Sequence, residues 1–362
     1  MKASKFQFGL TLLEVALAAS FFSVNPASAS DWSAYGVLDS LSRSDSMAIT
    51  QLDKGSGHYY DGGNQAFTSN WLEVGARYQQ WSLGALYRYE QNYRYSSDFA
   101  DFYYAISQEN ALPVGRDYQL NLHAETWRAS GLRAAYQWDL QNHRLQLGAS
   151  LFNADNLSYG DIVGNASANS DKTYQYQANV NYRYEQDQLF GRTDRLDGNG
   201  RGYSLDFRLS GKFNWGGSYD LWVRDALGEI NWGNTLQTTA QATSRVKSYS
   251  ADGYLQVAPN LSGRETSSSF THSLSPWIKA QFNAPLSEQW SGILAYQEHY
   301  GYGMTGIGVA TNLLFKQTSV IYYPTQALIN LGIEQEHWHW GIASDAIDVN
   351  EARSFWLTLS YR

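Results

Sequence analysis

The 362-residue chain contains no cysteine, six prolines and three methionines. No disulfide can staple the fold, so its stability has to come from packing and from a continuous backbone hydrogen-bond network. Charge is also scarce: 17% of the residues are ionisable and the formal net charge is −8, which denies the chain the basic face that nucleic acid requires. Beyond residue 29 no apolar run reaches the length of a membrane-crossing helix. Catalytic signatures are missing too, with no G-x-S-x-G, no H-E-x-x-H and no phosphate-binding glycine loop.

What is present begins at the N-terminus. Lys2 and Lys5 precede an apolar run from Phe6 to Val24, and Ala27-Ser28-Ala29 supplies small residues in A-x-A spacing. This is the layout of a cleaved secretory signal peptide, and residues 1–29 are set aside from the fold on that basis. Gly9-Leu10-Thr11-Leu12-Leu13-Glu14 resembles the type IV prepilin motif over about ten residues. Asn25-Pro26 interrupts the long helix that a pilin stem would need, so the secretory reading is kept. Removal of the segment takes away Lys2, Lys5 and Glu14 and leaves 24 basic and 33 acidic residues, a net charge of −9 over residues 30–362.

The mature chain is rich in rings: 27 Tyr, 13 Trp and 15 Phe, beside a mean hydropathy of −0.46. A transmembrane barrel reconciles the two, because alternate residues face lipid, aromatic girdles sit at both interfaces and the lumen is polar. Alternation is indeed the dominant pattern. From Thr173 to Glu185, Tyr174, Tyr176, Ala178, Val180, Tyr182 and Tyr184 fall on one side and Gln175, Gln177, Asn179, Asn181, Arg183 and Glu185 on the other. Tyr203 to Trp215 repeats it, with Tyr203, Leu205, Phe207 and Leu209 against Ser204, Asp206, Arg208 and Lys212. A strand separates such sets, whereas a helix scatters them. Shorter alternating runs follow Leu72–Tyr78, Trp81–Tyr89, Leu132–Trp138 and Leu145–Leu151, and weaker strands are expected at Trp277–Asn283, Trp290–Gln297, Thr305–Phe315, Thr318–Tyr323 and Ala327–Gln335.

Connections differ in length. Tight links at Gln79-Gln80 and Asp139–Asn142 contrast with polar stretches at Ser96–Asp117 and Asn153–Lys172. Gln186–Gly202 is too long for a hairpin turn, and beyond residue 185 the alternation alone does not assign the two ends of the barrel. The Ser/Thr-rich interval Gly233–Ser275 is expected to form a large external or inward-folded loop.

The chain closes on Phe355-Trp356-Leu357-Thr358-Leu359-Ser360-Tyr361, followed by Arg362. This terminal strand resembles the assembly signal of Gram-negative outer-membrane β-barrels, and by overall pattern the mature chain resembles that porin-like class. The resemblance implies recognition by the barrel-assembly machinery and residence among outer-membrane lipid. The expected fold is all-β: one antiparallel transmembrane barrel over residues 30–362, with about 12–16 strands and fourteen preferred.

Function-bearing residues are sought on the polar faces. Glu73, Arg77, Arg88, Glu90, Arg133, Arg183, Glu185, Asp206, Arg208 and Lys212 are the pore-lining candidates. In an open lumen they would bias passage of polar or anionic solutes, and in a filled one they would pair across neighbouring strands. Tyr93, Tyr95, Tyr103 and Tyr104 suit either an interfacial girdle, the favoured assignment, or a sugar-stacking track. His337 and His339 make a metal half-site without a third ligand, and Asp194–Gly202 reads as a turn rather than a calcium loop. Thr271-His272-Ser273 is the one local candidate for a lipid hydrolase. No cofactor, metal or catalytic residue is assigned. The sequence points to a porin-like channel for small polar or saccharide solutes, with a non-conducting scaffold, adhesin or export accessory as the alternative.

Overall fold

A computed structural model describes residues 32–51, 59–60, 62–170, 173–187, 199–244, 247–249, 255–257, 260–312 and 316–361. The proposed signal segment and residues 194–198 of the acidic turn lie outside the described residues. In chain order the elements are β1 (Trp32–Ser44), β2 (Gln65–Tyr78), β3 (Trp81–Tyr95), α1 (Ser97–Ser107), β4 (Asp117–Leu140), β5 (His143–Ala168), β6 (Tyr174–Tyr184), β7 (Gly200–Lys212) and β8 (Ser218–Thr243). They continue as β9 (Lys247–Tyr249), β10 (Leu255–Val257), β11 (Leu261–Ser273), β12 (Trp277–Pro285), β13 (Trp290–His299), β14 (Tyr302–Thr311), β15 (Gln317–Tyr323), a 3-10 turn (Pro324–Gln326), β16 (Leu328–Glu334), β17 (Trp338–Ser344) and β18 (Ser354–Tyr361).

Sixteen of these strands form one antiparallel sheet that closes when β1 pairs with β18 as well as β2. Its wall has fourteen positions around the circumference, because two positions are each shared by two strands. β5 pairs with β7 along Ala154 to His143 and with β6 along Ser158 to Ala168, so β6 and β7 are one stave interrupted by residues 185–199. β8 likewise pairs with β12 below and β11 above. The Gln186–Gly202 stretch therefore does not reverse the chain. β6 ends and β7 begins on the same stave with the chain running in the same direction, which is why the alternation does not assign inside and outside past residue 185.

Two expectations for loops are corrected. Asn153–Lys172 is mostly the upper half of β5, and Gly233–Ser275 is mostly the upper half of β8 plus β11, with the β9–β10 hairpin between them. Their Ser, Thr and Asn residues suit a strand in water as well as a loop, so composition did not separate the two. Strands β4, β5 and β8 run 24–26 residues, while β12 to β18 run 7–10. One side of the barrel consequently stands far taller than the other.

Directly paired residues share a face, so register carries the inside-outside assignment around the wall. On the outside of the lower barrel, Leu83, Leu132, Leu147, Leu151, Leu205, Leu227, Leu294, Ile307, Leu331 and Ile342 are exposed apolar side chains. Trp32, Trp81, Trp138, Trp215, Trp290 and Trp340 gather at the end of the short turns, and Tyr203, Tyr296 and Tyr322 at the other edge. From Trp81 to Tyr89 the wall rises roughly 20 Å at about 3.3 Å per residue and a tilt of about 40°. An apolar belt flanked by two aromatic rings is the pattern of the lipid-facing band of outer-membrane barrels, about 25 Å tall. The exposed Arg128–Asp155 ion pair, Nε to Oδ1 2.6 Å, marks its upper limit on the tall side.

Above the belt the outer face changes partner rather than character. Tyr118, Leu120, Ala166 and Ala168 pack under Phe102 of α1 and Leu112. Helix α1 starts at Ser96, whose side chain accepts from the Phe99 amide and so satisfies an orphan N–H. Tyr95 bonds Ser46, Tyr104 stacks on Tyr59 at 4.2 Å and Tyr103 lies parallel to Phe99 at 6.2 Å. Tyr93 accepts from Gln91 at 2.7 Å within β3, so Tyr95 and Tyr104 are the two that tie the loop to strand and helix, above the belt rather than in a girdle.

Candidate functional site in the barrel lumen

Register places the side chains of Glu73, Arg77, Arg88, Glu90, Arg133, Asp206, Arg208 and Lys212 on the lumen side of the lower wall, and those of Arg183 and Glu185 on the same face above it. Most of these charges touch opposite charges. Arg88, 2% exposed, donates twice to Asp225, at 2.8 and 2.6 Å, and once to Glu90 at 3.2 Å. Its guanidinium also lies over Trp71 and Trp127, 5.1 and 4.8 Å from their ring centres. Arg133 bridges Asp206 at 2.5 Å and Glu73 at 3.2 Å, and Tyr35 donates to Glu73 at 2.5 Å. Arg208 pairs with Asp220, and Arg77 sits over the Tyr35 ring. Lys212 is exposed at the short-turn end, and Glu185 accepts from the Asn156 amide where the β6–β7 stave breaks.

Four residues that the sequence did not single out complete the set. Asp39 on β1 accepts from Arg224 at 2.7 Å, from Lys279 and from the Trp356 indole at 2.8 Å. Asp225 is the fourth. β1 begins the barrel, and Arg224 and Lys279 stand on its seventh and eighth staves, across the lumen. A round barrel of fourteen staves about 4.8 Å apart, tilted about 40°, is roughly 28 Å across. An Asp and a Lys in contact hold their backbones no more than about 13 Å apart. The wall is therefore flattened here, and β8 contributes by bulging inward: two extra residues lie between Val223 and Leu227, with Asp225 at φ 51°, so that Arg224 and Asp225 both enter the lumen.

Apolar clusters fill the space on either side of these bridges. Leu41, Phe67, Trp277, Ile293, Met304, Ile321, Tyr323 and Leu328 form one, and Trp127, Phe152, Leu157, Ile230, Trp232 and Leu274 the other. Glu90 reaches His299 at 3.4 Å and Tyr300 at 3.2 Å, which joins β3 to the short strands opposite.

Above this layer the lumen opens into a cup walled by the tall strands. Its floor holds Tyr159, Phe270 and His272, with Tyr159–Phe270 centroids 4.8 Å apart and Tyr159–His272 5.4 Å. His272 Nε2 is 3.0 Å from Glu125, and Trp127 Nε1 is 3.4 Å from the same carboxylate. Burial would raise the Glu125 carboxyl, but the hydrogen bond and charge of His272 outweigh it and hold the group below the usual glutamate range. Burial pushes the Tyr159 hydroxyl up and pulls the Arg183 guanidinium down. Arg183 reaches Thr235 and Ser268 and lies 5.1 Å over the Phe270 ring.

The hydrolase candidate takes a different form from the one its sequence suggested. His272 faces the cup, but Thr271 and Ser273 alternate to the other face, where Thr271 donates to Asn231 at 2.7 Å. His337 packs on Tyr361, and among the described residues no group of three or more His, Cys, Asp or Glu is placed to hold a metal ion.

A charged, paired interior inside a closed wall with an apolar exterior decides the class. This is the architecture of an outer-membrane β-barrel. No family model and no curated protein matches the sequence. Among solved structures the chain is similar to a deletion mutant of the monoaromatic hydrocarbon channel TodX, with 9% identity over 99% of this chain and 95% of that one, at a TM-score of 0.44. The Pseudomonas putida toluene transporter TodX matches at 8% identity over 91% and 87%, with a TM-score of 0.39. The siderophore receptor PirA of Pseudomonas aeruginosa matches at 9% identity over 91% and 80%, with a TM-score of 0.19. Likeness at this level assigns no solute.

Proposed function

We propose that the chain is exported by its N-terminal signal segment, assembled into the outer membrane through its C-terminal strand, and works there as a channel-type barrel for small polar or saccharide solutes. It performs no chemistry on them. In the conformation described here the lumen is shut at mid-height, and passage requires its cross-lumen bridges to part. The long loops and tall wall face outward from the cell, as the contrast with the short turns at the opposite end suggests for a bacterial barrel.

The observation that carries this reading is the contact of Asp39 with Arg224 and Lys279 on the far wall. A salt bridge between opposite staves closes a cross-section, whereas one between neighbours leaves it open. Purified protein in a planar bilayer is expected to show rare, brief openings. Asp39→Asn, which removes the charge that both cations share, is expected to raise the open time at least about tenfold, the effect of about 1.4 kcal/mol on a two-state equilibrium. Steady conductance of the unaltered protein would overturn the closed lumen. Silence of both proteins would overturn the channel and leave the second reading, a non-conducting scaffold, which the tall wall above the belt favours.

A further inference from the structure

The upper halves of β5, β6, β8 and β11 turn a hydrophilic face toward the cup. A cavity of about 410 Å³ lies on it, lined by Asp161, Val163, Asn179, Asn181, Thr239 and Gln241 among others. The volume is in the range of pockets for small organic ligands, about 300–1,000 Å³. One strand step below Asp161 on the same face is Tyr159, and one step below Asn181 is Arg183, so the ring floor described above adjoins the cavity. His123 Nδ1 lies 2.8 Å from the Asp161 carboxylate, which accepts from it, and the ring meets Tyr159 edge-on at 5.2 Å, which steadies both.

The chemistry is selective. Amides that both donate and accept, hydroxyls and a carboxylate line the cavity, with the aromatic floor one strand step below. Arg183 is partly engaged by Thr235 and Ser268, and Asp161 by His123, while Arg264 opposite Thr239 and Arg94 opposite His123 set cations against that carboxylate, so the face carries charge of both signs. Val163 is the one exposed large aliphatic side chain in the lining, since Val180 and Ala240 are buried against the other face, and that is too little for a hydrocarbon ligand to replace its lost water. A neutral polyhydroxylated ring satisfies both parts: its hydroxyls pair with Asp161, Asn179, Asn181, Thr239 and Gln241, and its C–H face lies on Tyr159 and Phe270.

We infer that this cavity is a saccharide-binding subsite in which neutral sugar is held above the shut lumen. The inference deepens the proposed solute class and rests on it, but sugar can be held whether or not the lumen ever opens.

Calorimetric titration of the detergent-solubilised full chain with maltotriose and, separately, cellotriose tests it, with toluene and sodium benzoate as apolar and anionic comparisons. Saturable binding of at least one trisaccharide is expected, with neither comparison ligand binding there. Tyr159→Ala is expected to weaken it about tenfold, the loss of one stacking contact. Asn179→Ala and Thr239→Ala, both exposed and safe for folding, should each weaken it severalfold, and their retained fold is checked by far-ultraviolet circular dichroism. Absence of heat with both trisaccharides at millimolar concentration overturns the inference, as does binding that none of the three substitutions alters. Failure here with conductance intact refutes the subsite alone, whereas binding without conductance refutes the channel alone.

Discussion

At the scale of single residues, the lumen depends on side chains that are absent as much as on those present. A Cβ at Gly148 would collide with the Arg133 guanidinium and the Asp206 carboxylate, and one at Gly84 with the Tyr35 hydroxyl and Glu73. Those two glycines, on β5 and β3, clear the volume in which the Tyr35–Glu73–Arg133–Asp206 cluster assembles. Gly148→Val should separate Arg133 from Asp206 and leave charges without partners in a buried place. A cost of about 3–5 kcal/mol is expected, by analogy with removal of one member of a buried pair. A fall in the urea midpoint of the reconstituted barrel measures it, and an unchanged midpoint would show the cluster to be slack. Residue identity was legible where alternation is clean: Glu73, Arg88, Glu90, Arg133 and Asp206 could be read from parity alone. Arg224 and Asp225 could not, because they are consecutive, and strict alternation sends one of two neighbours outward. The left-handed backbone at Asp225 that admits both has no glycine to announce it.

Elements carry the next level of information, and here the pattern breaks where the chain crosses from lipid to water. Below the break, even-numbered residues of β5 face the lumen, as in Arg133 opposite Ser150. Above it odd-numbered ones do, as in His123 opposite Asp161, and Asn156 at φ 59° is the residue at which the strand changes side. Strand β8 makes the same exchange between Trp232 and Thr235, since Trp232 pairs with Phe270 and Thr235 with Ser268. A reader following period two loses the thread at such points, and the sharing of one stave by β6 and β7 compounds it. The clean run at Tyr174–Tyr184 was legible as a strand, but its apolar edge meets protein rather than lipid: Val180, Tyr182 and Tyr184 join Leu236 in a buried cluster.

The Glu125–His272 contact ties β4 to β11 across the floor of the cup, and it makes an expectation about pH. The folded carboxyl lies below its unfolded value of about 4.3, so the stabilisation is fully present above that value and is lost as pH falls through the folded one. Thermal melts of the unaltered protein and of Glu125→Gln should differ at neutral pH, and the difference should shrink as the solution is acidified below the ordinary glutamate range. A difference that is constant down to strongly acidic solution would exclude the ionised pair.

For the whole molecule, the division of tryptophans offers the sharpest test of what surrounds it. Trp32, Trp81, Trp138, Trp215, Trp290 and Trp340 stand on the outer wall, while Trp71, Trp127, Trp232 and Trp277 are fully buried in the lumen. Bilayers of brominated phospholipid should quench the first set by contact and spare the second, leaving a residual emission from buried indoles. Trp81→Phe and Trp290→Phe should each remove part of the quenchable signal, and Trp232→Phe part of the residual. Equal quenching of both sets would mean that lipid does not meet the wall as the belt implies. Fourteen staves were within reach of the sequence because length divided by strand-plus-connection bounds the count. The flattened cross-section was not, since it depends on contacts between β1 and the β8–β12 wall, 185 residues apart in the case of Asp39 and Arg224.

The unequal strand lengths give the rim a slope. A cylinder cut obliquely faces sideways, so its mouth opens over the low lip formed by the short strands from β12 to β18. That lip stands close to the upper aromatic edge, marked by Tyr296 and Tyr322. Whatever reaches the cup from that side passes close over the membrane surface.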